Sequence, residues 1–135
     1  MKSFKIHILA ADNVFYDGDC ESLIIPASDG QYGIQAGHSN AITAIVPGIM
    51  TYRIPGEKDK IAAVSSGLVK IENGEVLVLV DSAERPEEID INRAQRDADA
   101  AKEALLQKQT IREYRSAQAT LARAVTRLRI KGGLK

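Results

Sequence analysis

Three arginines in the last third of the chain have the residue type and the spacing to bind a polyanion. Arg93 lies 16 residues before Gln109, and Arg123 and Arg127 lie 14 and 18 residues after it. If the chain reverses near Gln109 as an antiparallel helix pair, the rise of about 1.5 Å per residue brings the three guanidinium groups level. Arg123 and Arg127 also share one helix face, because they are four residues apart.

Glu84 and Asp90 enter at the same end of this helix pair and leave two interpretations open. In one, the carboxylates pair with the arginines and clamp the helices together. In the other, the arginine forks bind the phosphates of a polyanion while the carboxylates accept sugar or base donors. Both interpretations can hold, since a ligand can complete the clamp.

The elements that position these residues are two predicted helices. From Asp90 onward the chain has no Pro and no Gly before Gly132, and the apolar period is about 3.5 residues. Asp90 is the expected N-cap of the first helix, and Thr110 and Glu113 form a capping box that begins the second helix. Gly132 and Gly133 end it, and Gln107–Thr110 forms the turn. The predicted apolar stripes are Ile91, Ala94, Ala98, Ala101 and Leu105, and Ile111, Tyr114, Leu121, Ala124, Val125 and Leu128.

Alanine dominates the first stripe, so the contact between the helices is thin. Burying each alanine contributes under about 1 kcal/mol at the usual ~25 cal/mol/Å². The sequence therefore predicts a helix pair that depends on docking elsewhere and is able to detach.

Before Asp81 the chain consists of short alternating or apolar runs separated by Gly, Pro and Asn, which is typical of strands and turns. Asn73-Gly74 supplies the positive-φ residues of a type I′ hairpin turn. We therefore predict a β + α protein, an N-terminal antiparallel β-sandwich followed by a C-terminal antiparallel two-helix hairpin. The predicted boundaries are residues 1–84 for the sandwich, 85–89 for a linker and 90–135 for the hairpin.

Composition narrows the function classes. The 135 residues have a formal net charge of zero, but residues 1–80, 81–110 and 111–135 carry −3, −3 and +6. The basic end is either an arm that binds an anionic partner or a solvated helix face, and charge alone favours the solvated face. No apolar run approaches the roughly 20 residues that cross a bilayer, no secretory signal is apparent, and a lone Cys20 fits a reducing compartment. We find no nucleotide-loop, hydrolase or metal-ligand motif, and therefore predict no catalytic residue, no metal and no enzyme activity.

A glycine-rich segment, Asp29–His38, carries three glycines in its centre. It fits either the turn geometry of a tight hairpin or an exposed contact loop on a rigid sandwich. A phosphate cradle is excluded, because neither a helix start nor a lysine follows.

At this point the sequence resembles the epsilon subunit of bacterial rotary ATP synthases over nearly all of its length. The resemblance is carried by YDG at 16–18, GQYGIQAGHSNAIT at 30–43, PG at 47–48, VLVDSAERPEEIDINRA at 78–94 and the arginine-rich last helix. Ala36 and Asn40 depart from it, since proline is common there in the family.

The resemblance implies a non-catalytic central-stalk, or rotor, subunit of a proton- or sodium-translocating synthase, peripheral on the cytoplasmic face of the cell membrane. Its β-domain would bind the gamma subunit and the ring of c subunits through Gly30, Gln31, Tyr32 and His38, and reach the membrane only through the complex. The helix pair would open along gamma and inhibit ATP hydrolysis when its basic last helix meets the catalytic alpha/beta head. The residues implied for that inhibitory helix are Arg115, Arg123, Arg127 and Arg129.

Ile89-Asp90-Ile91-Asn92-Arg93-Ala94 is similar to the family's ATP-recognition motif, so no cofactor is required but ATP is implied as a regulatory ligand. The residues implied for ATP binding are Glu84, Ile89, Asp90, Arg93, Ala94, Arg123 and Arg127. Ala100 stands where strongly binding members have a basic residue. Losing one charge-assisted hydrogen bond costs about 1.5–3 kcal/mol, so we expect weaker binding than in the tightest members.

The main alternative from the residues themselves is a β-domain with a basic helical arm that binds nucleic acid. The acidic β-domain, the few aromatic residues and the apolar stripe on the basic helix argue against it. We therefore predict protein partners and no nucleic acid.

Overall fold

The computed structural model describes residues 2–107 and 109–132. Within them, ten strands form two five-stranded sheets, and two helices follow. The strands are β1 (Phe4–Ala10), β2 (Val14–Cys20), β3 (Ser22–Ala27), β4 (Gly30–Gln35), β5 (Ala41–Ile45), β6 (Gly48–Arg53), β7 (Lys60–Val64), β8 (Gly67–Glu72), β9 (Glu75–Val80) and β10 (Ala83–Glu84). The helices are α1 (Ile91–Leu105) and α2 (Ile111–Ile130). The predicted fold class is confirmed.

One sheet has the order β2-β1-β9-β8-β5 and the other β10-β7-β6-β3-β4. Their inner faces bury one core, whose largest fully buried side chains include Ile6, Ile8, Leu23, Ile25 and Met50. The pairing is antiparallel except between β1 and β9, which run parallel. This exception to the predicted antiparallel pattern arises because β1 lies between β2 and β9 and joins the two ends of the β-domain.

The turn between β8 and β9 has the predicted type I′ character. Asn73 and Gly74 have φ of 52° and 80°, and Glu72 pairs directly with Glu75. Positive φ at both central residues matches the right-handed twist of the strands. The sequence thus fixes this hairpin locally.

The glycine-rich segment is mainly a strand. Gly30–Gln35 forms β4, which pairs with β3 and lies at the edge of its sheet. Gly30 and Gly37 have φ of 124° and 81°, so glycine is required where the chain enters and leaves this strand. The interpretation as hairpin geometry is confirmed, whereas the contact role of this segment stays a prediction.

A short linker joins the sandwich to the helices and is fastened to the sandwich by Arg85. Its guanidinium donates to the backbone oxygen of Phe15 at 2.6 Å and lies 4.1 Å from the centre of the Phe15 ring. Glu88, at the end of a 3₁₀ turn over Pro86–Glu88, accepts from the Arg85 backbone N–H at 2.7 Å. The linker is therefore held to the sandwich before the helices begin.

Both predicted helix starts are confirmed. The Asp90 carboxylate accepts from the Arg93 backbone N–H at 3.1 Å, and Thr110 and Glu113 form the capping box of α2. Gly132, with φ of 77°, follows the end of α2. Residue 108 of the predicted turn, Gly133 and the outermost residues of the predicted domains lie outside the described residues.

The seam between the helices is as thin as predicted, but it is shorter. Its buried cluster consists of Ala94, Ala98, Ala124 and Leu128, with Leu121 beside them, and Ala101 is buried as predicted. Ile91, Ile111 and Tyr114 are exposed, so their assignment to the buried stripes is wrong. The first half of α2 is mostly exposed, whereas its second half carries the buried residues Ala124, Thr126 and Leu128, and α2 as a whole packs against α1, β6 and β7.

Candidate functional site

The candidate site lies where α1, α2 and β10 meet, and Arg127 of α2 is at its centre. Its Nε donates to Glu84 Oε1 at 2.5 Å, and its NH1 lies 3.8 Å from Asp97 Oδ2 of α1. The side chains of Arg127 and Glu84 are only 22% and 28% exposed. One guanidinium thus connects the sheet edge with both helices.

A recess of about 120 Å³ opens beside this ion pair, and we call it the hinge recess. Its lining residues are Glu84, Glu88, Asp90, Arg93, Ala94 and Arg127. The structure therefore brings together five of the residues predicted for ATP binding. Two of them are arginines from different helices, which is the arrangement expected from the register of the hairpin.

Two further predicted residues do not line the hinge recess. Ile89 is buried at the junction of linker and α1. Arg123 lies one turn before Arg127, and its guanidinium donates to Thr120 Oγ1 at 3.3 Å. Arg123 therefore reaches the recess only after a change of side-chain conformation.

Of the predicted clamp, the part formed by Glu84 and Arg127 is present. Asp90 instead caps α1 through the Arg93 backbone N–H, which leaves the Arg93 guanidinium exposed. The recess thus combines one arginine that is already paired with one that is open to solvent. Chemically, the two arginines suit the binding of an anion, and the three carboxylates of the lining, Glu84, Glu88 and Asp90, oppose it unless they accept hydrogen bonds from other groups of the ligand.

Sequence reasoning did not single out Glu88 and Asp97. Glu88 follows from the capping pattern of the linker, since it accepts from the backbone N–H three residues before it. Asp97 was detectable from its position four residues after Arg93, which places both on one face of α1. Among the described residues, no group of three His, Cys, Asp or Glu side chains is placed to hold a metal ion.

A larger recess of about 550 Å³ runs along the two helices toward their connection, and we call it the alanine groove. Its α1 wall includes Asp97, Ala100 and Ala104, and its α2 wall includes Ser116 and Ala117. Small side chains on both helices leave this space unfilled. Ala100 lies on the wall of this groove. It is the position at which tightly binding members of the family that the sequence resembles carry a basic residue.

The residues predicted to contact gamma and the c-ring lie on and after the edge strand β4. Gly30 and Gln31 are exposed, and the Tyr32 and His38 rings lie 5.6 Å apart. His38 Nδ1 lies 2.7 Å from the backbone oxygen of Ser39, which can only accept, so in the neutral imidazole Nδ1 carries the proton and Tyr32 OH donates to Nε2 at 3.1 Å. This pair holds the two rings in a fixed orientation near the sheet edge.

The Asn40 departure has a structural counterpart. Asn40 Oδ1 accepts from the Asn73 backbone N–H at 3.0 Å, which ties the segment after β4 to the β8–β9 turn. A side-chain contact thus restrains a segment in which proline would restrict the backbone directly.

The basic residues predicted for the inhibitory helix fall into two groups. Arg115 and Arg129 are exposed on α2, whereas Arg123 and Arg127 are partly buried against neighbouring groups. In this conformation only the first pair presents its charge directly to a partner.

Fold and site together define a two-domain protein, a β-sandwich with a helix pair held to its edge by an arginine. Residues 3–86 match the family model for the beta-sandwich domain of the ATP synthase delta/epsilon chain, and residues 87–132 match the model for its long alpha-helix domain. The chain therefore belongs to the ATP synthase delta/epsilon chain family, and the predicted family is confirmed.

Several curated relatives match over nearly the whole chain. The ATP synthase epsilon chain of Ruminiclostridium cellulolyticum is 38% identical over 128 residues, which is 95% of each chain. That of Caldicellulosiruptor saccharolyticus is 37% identical and covers 96% of this chain and 94% of the relative.

Solved structures show the same fold at lower identity. A chain in the Euglena gracilis mitochondrial ATP synthase, OSCP/F1/c-ring, matches with a TM-score of 0.77 at 20% identity, covering 89% of this chain and 76% of that one. A chain in the central stalk and c-ring of the Tetrahymena thermophila enzyme matches with a TM-score of 0.70 at 10% identity, over 96% and 97%. In the described ranges, no helix of this chain has the length and apolar character required to span a membrane.

Proposed function

We propose that this chain is a non-catalytic rotor subunit of a proton- or sodium-translocating ATP synthase and couples rotation of the c-ring to the catalytic head. The observation that carries the proposal is the match of both domains, in order, to the two domain models of one family. The full-length similarity to epsilon chains supports it further. In this role the chain is peripheral at the cytoplasmic face of the cell membrane and reaches the membrane only through the complex.

The β-sandwich is the part that binds the gamma subunit and the c-ring in this proposal. Gly30, Gln31, Tyr32 and His38 lie on or just after an edge strand, where side chains and backbone groups are accessible to a partner. The Tyr32–His38 hydrogen bond fixes two of these contacts before binding, which lowers the entropy lost on association.

The helix pair is the regulatory part. The alanine seam between the helices buries little area, and the first half of α2 is mostly exposed. An open state is therefore energetically accessible. In that state Arg115, Arg123, Arg127 and Arg129 meet acidic segments of the alpha/beta head and inhibit ATP hydrolysis. Opening is required to free the partly buried Arg123 and Arg127 for this role.

ATP is the regulatory ligand that we propose for the hinge recess. Arg93 and Arg127 line it from two different helices, so a triphosphate that bridges them favours the folded-down form. The recess of about 120 Å³ is smaller than the ~300 Å³ of the smallest ordinary ligand pockets, so binding must widen it. Glu84, Ile89, Asp90, Ala94 and Arg123 complete the proposed site, and no other cofactor is required.

The ATP proposal is tested by titrating the full chain with ATP and following backbone amide shifts by NMR. We expect saturable shifts around Asp90, Arg93 and Arg127. The affinity should be lower than in tightly binding members of the family, because Ala100 supplies no phosphate contact. Arg93→Gln is expected to weaken binding about tenfold, as expected for a lost charge-assisted hydrogen bond. Arg96→Gln, an exposed position on the same helix, is the matched control. Absence of shifts at millimolar ATP would refute the proposal.

The regulatory role is tested by truncating the chain before Asp90 in the assembled synthase. We expect ATPase activity to rise while the complex still assembles, because the sandwich and its edge strand are retained. Unchanged activity in an intact complex would remove the inhibitory role. A filter-binding assay at low salt addresses the alternative nucleic-acid partner, and we expect no retention.

A further inference from the structure

Asp97 is a carboxylate that the proposed ATP site does not need. It lies on α1, 3.8 Å from Nη1 of Arg127, whereas Glu84 on β10 contacts a different nitrogen, Nε, of the same guanidinium. The contact with Glu84 is short at 2.5 Å, whereas the contact with Asp97 is long. Of the two carboxylates, Asp97 is therefore the one that an incoming anion displaces.

Asp97 also lies between the two recesses. It lines the alanine groove, while its partner Arg127 lines the hinge recess. The groove offers alanine surface together with polar groups such as Ser116 and Thr120, which suits a base or sugar, and the recess has the arginines that suit phosphates. The Asp97–Arg127 contact thus joins a residue that lines the groove to a residue that lines the recess.

We propose that Asp97 is an internal competitor for phosphate, which lowers the affinity of this chain for polyphosphate nucleotides and must leave Arg127 for the ligand to bind. The inference rests on the proposed ATP site. A carboxylate a few ångströms from bound phosphates repels them, and this one lies 3.8 Å from a guanidinium nitrogen that they require. Asp97 is thus a specificity-determining residue, and it acts in the same direction as the missing basic side chain at Ala100.

Asp97→Asn tests the proposal, because asparagine keeps the size of the side chain and removes its charge. Asp99→Asn is the matched control. Asp99 lies on the same helix, is exposed, bonds only with Gln95 among the described residues, and changes the net charge equally. Full-length wild type and both variants are titrated with ATP and with adenosine, at low and at physiological salt.

We expect Asp97→Asn to bind ATP roughly 5- to 50-fold more tightly than wild type at low salt, with a smaller gain at physiological salt. Asp99→Asn should stay within about twofold of wild type, since exposed charges further away are screened. Adenosine should show no gain in either variant, because it carries no phosphate. Asp97→Ala serves as a second variant, and circular dichroism reports whether each remains folded.

The outcomes separate the two proposals. If wild type binds ATP but Asp97→Asn binds no more tightly than Asp99→Asn, the role of Asp97 is refuted and the ATP site stands. An equal gain for adenosine also refutes competition for phosphate. If neither wild type nor any Asp97 variant binds at millimolar ATP, the ATP site itself is refuted, and the role of Asp97 with it.

Discussion

The ion pair between Glu84 and Arg127 is expected to hold α2 on the sandwich, and Glu84→Gln is the change that tests it. The pair joins β10 to α2 through an N–O contact of 2.5 Å. Glutamine keeps the shape and an acceptor oxygen, so the substitution removes charge without opening a cavity. Arg127 then keeps a neutral hydrogen bond at position 84, and its only remaining ion pair among the described residues is the long contact with Asp97.

The magnitude follows from the burial of the pair. A hydrogen bond to a charged group contributes about 1.5–3 kcal/mol, and a neutral one about 1 kcal/mol. Both side chains are about a quarter exposed, so solvent weakens the attraction relative to full burial. We therefore expect Glu84→Gln to cost about 1–2 kcal/mol of the free energy that docks α2.

Native-state hydrogen exchange measures this cost directly. If docking limits exchange in residues 121–130, a loss of about 1–2 kcal/mol raises their exchange rates about 5- to 30-fold. Amides in β1 and β9 should change little, because they lie in the other sheet. Glu72→Gln is the control, since it removes the same charge from an exposed pair with Lys70 at 3.5 Å.

Two results would refute this reasoning. Equal exchange in α2 of Glu84→Gln and Glu72→Gln would mean that the ion pair does not hold the helix. A uniform rise across sandwich and helices would mean that α2 does not open separately from the β-domain. A double-mutant cycle with Arg127→Gln then assigns the coupling energy to the pair itself.

Three smaller predictions concern the sandwich. Gly67→Ala places a Cβ 1.9 Å from the backbone oxygen of Leu79, so it should lower the free energy of unfolding in urea by about 2–3 kcal/mol. Gly33→Ala has open space around its Cβ and should lower it much less. Equal losses in the two variants would contradict this. Burial raises the pKa of the Cys20 thiol, so the folded state disfavours the thiolate. The free energy of unfolding should therefore fall as pH rises above the unfolded pKa of about 8.5. An equally steep fall in Cys20→Ala would exclude this cause. Asn73→Ala should lower the free energy of unfolding by about 1 kcal/mol, because residue 73 has a φ of 52°, which alanine adopts with strain. Thermal unfolding measures this change, and an unchanged stability would contradict it.

Local signals in the sequence predicted most of the elements that build the site. The Asp90 cap, the Thr110 capping box and the Asn73-Gly74 turn each depend on neighbouring residues alone, and all three are present. The register of the helix pair was also predictable from the sequence, because a short connection fixes which residues of the two helices lie opposite each other. That is why Arg93 and Arg127 were expected to lie together.

The remaining features depend on tertiary contacts that periodicity does not encode. Ile111 belongs to an apolar stripe by spacing, yet it is 71% exposed and lies in the mostly exposed first half of α2. The parallel pairing of β1 with β9 joins strands about 70 residues apart. Turn residues predict only the pairing of strands that are neighbours in the sequence, so they give no information about this pair. Arg123 shares a helix face with Arg127, but its guanidinium bonds to Thr120, within its own helix.

The same geometry supports our proposal that a small ligand biases this helix pair. Its tip leaves Leu106 and Ile111 87% and 71% exposed, so the folded-down form gains no hydrophobic free energy there. What holds α2 down is then its second half, an alanine-rich seam and one ion pair. In the proposed ATP site, Glu84, Asp97 and phosphate compete for Arg127, and we propose that this competition biases whether the helices stay down.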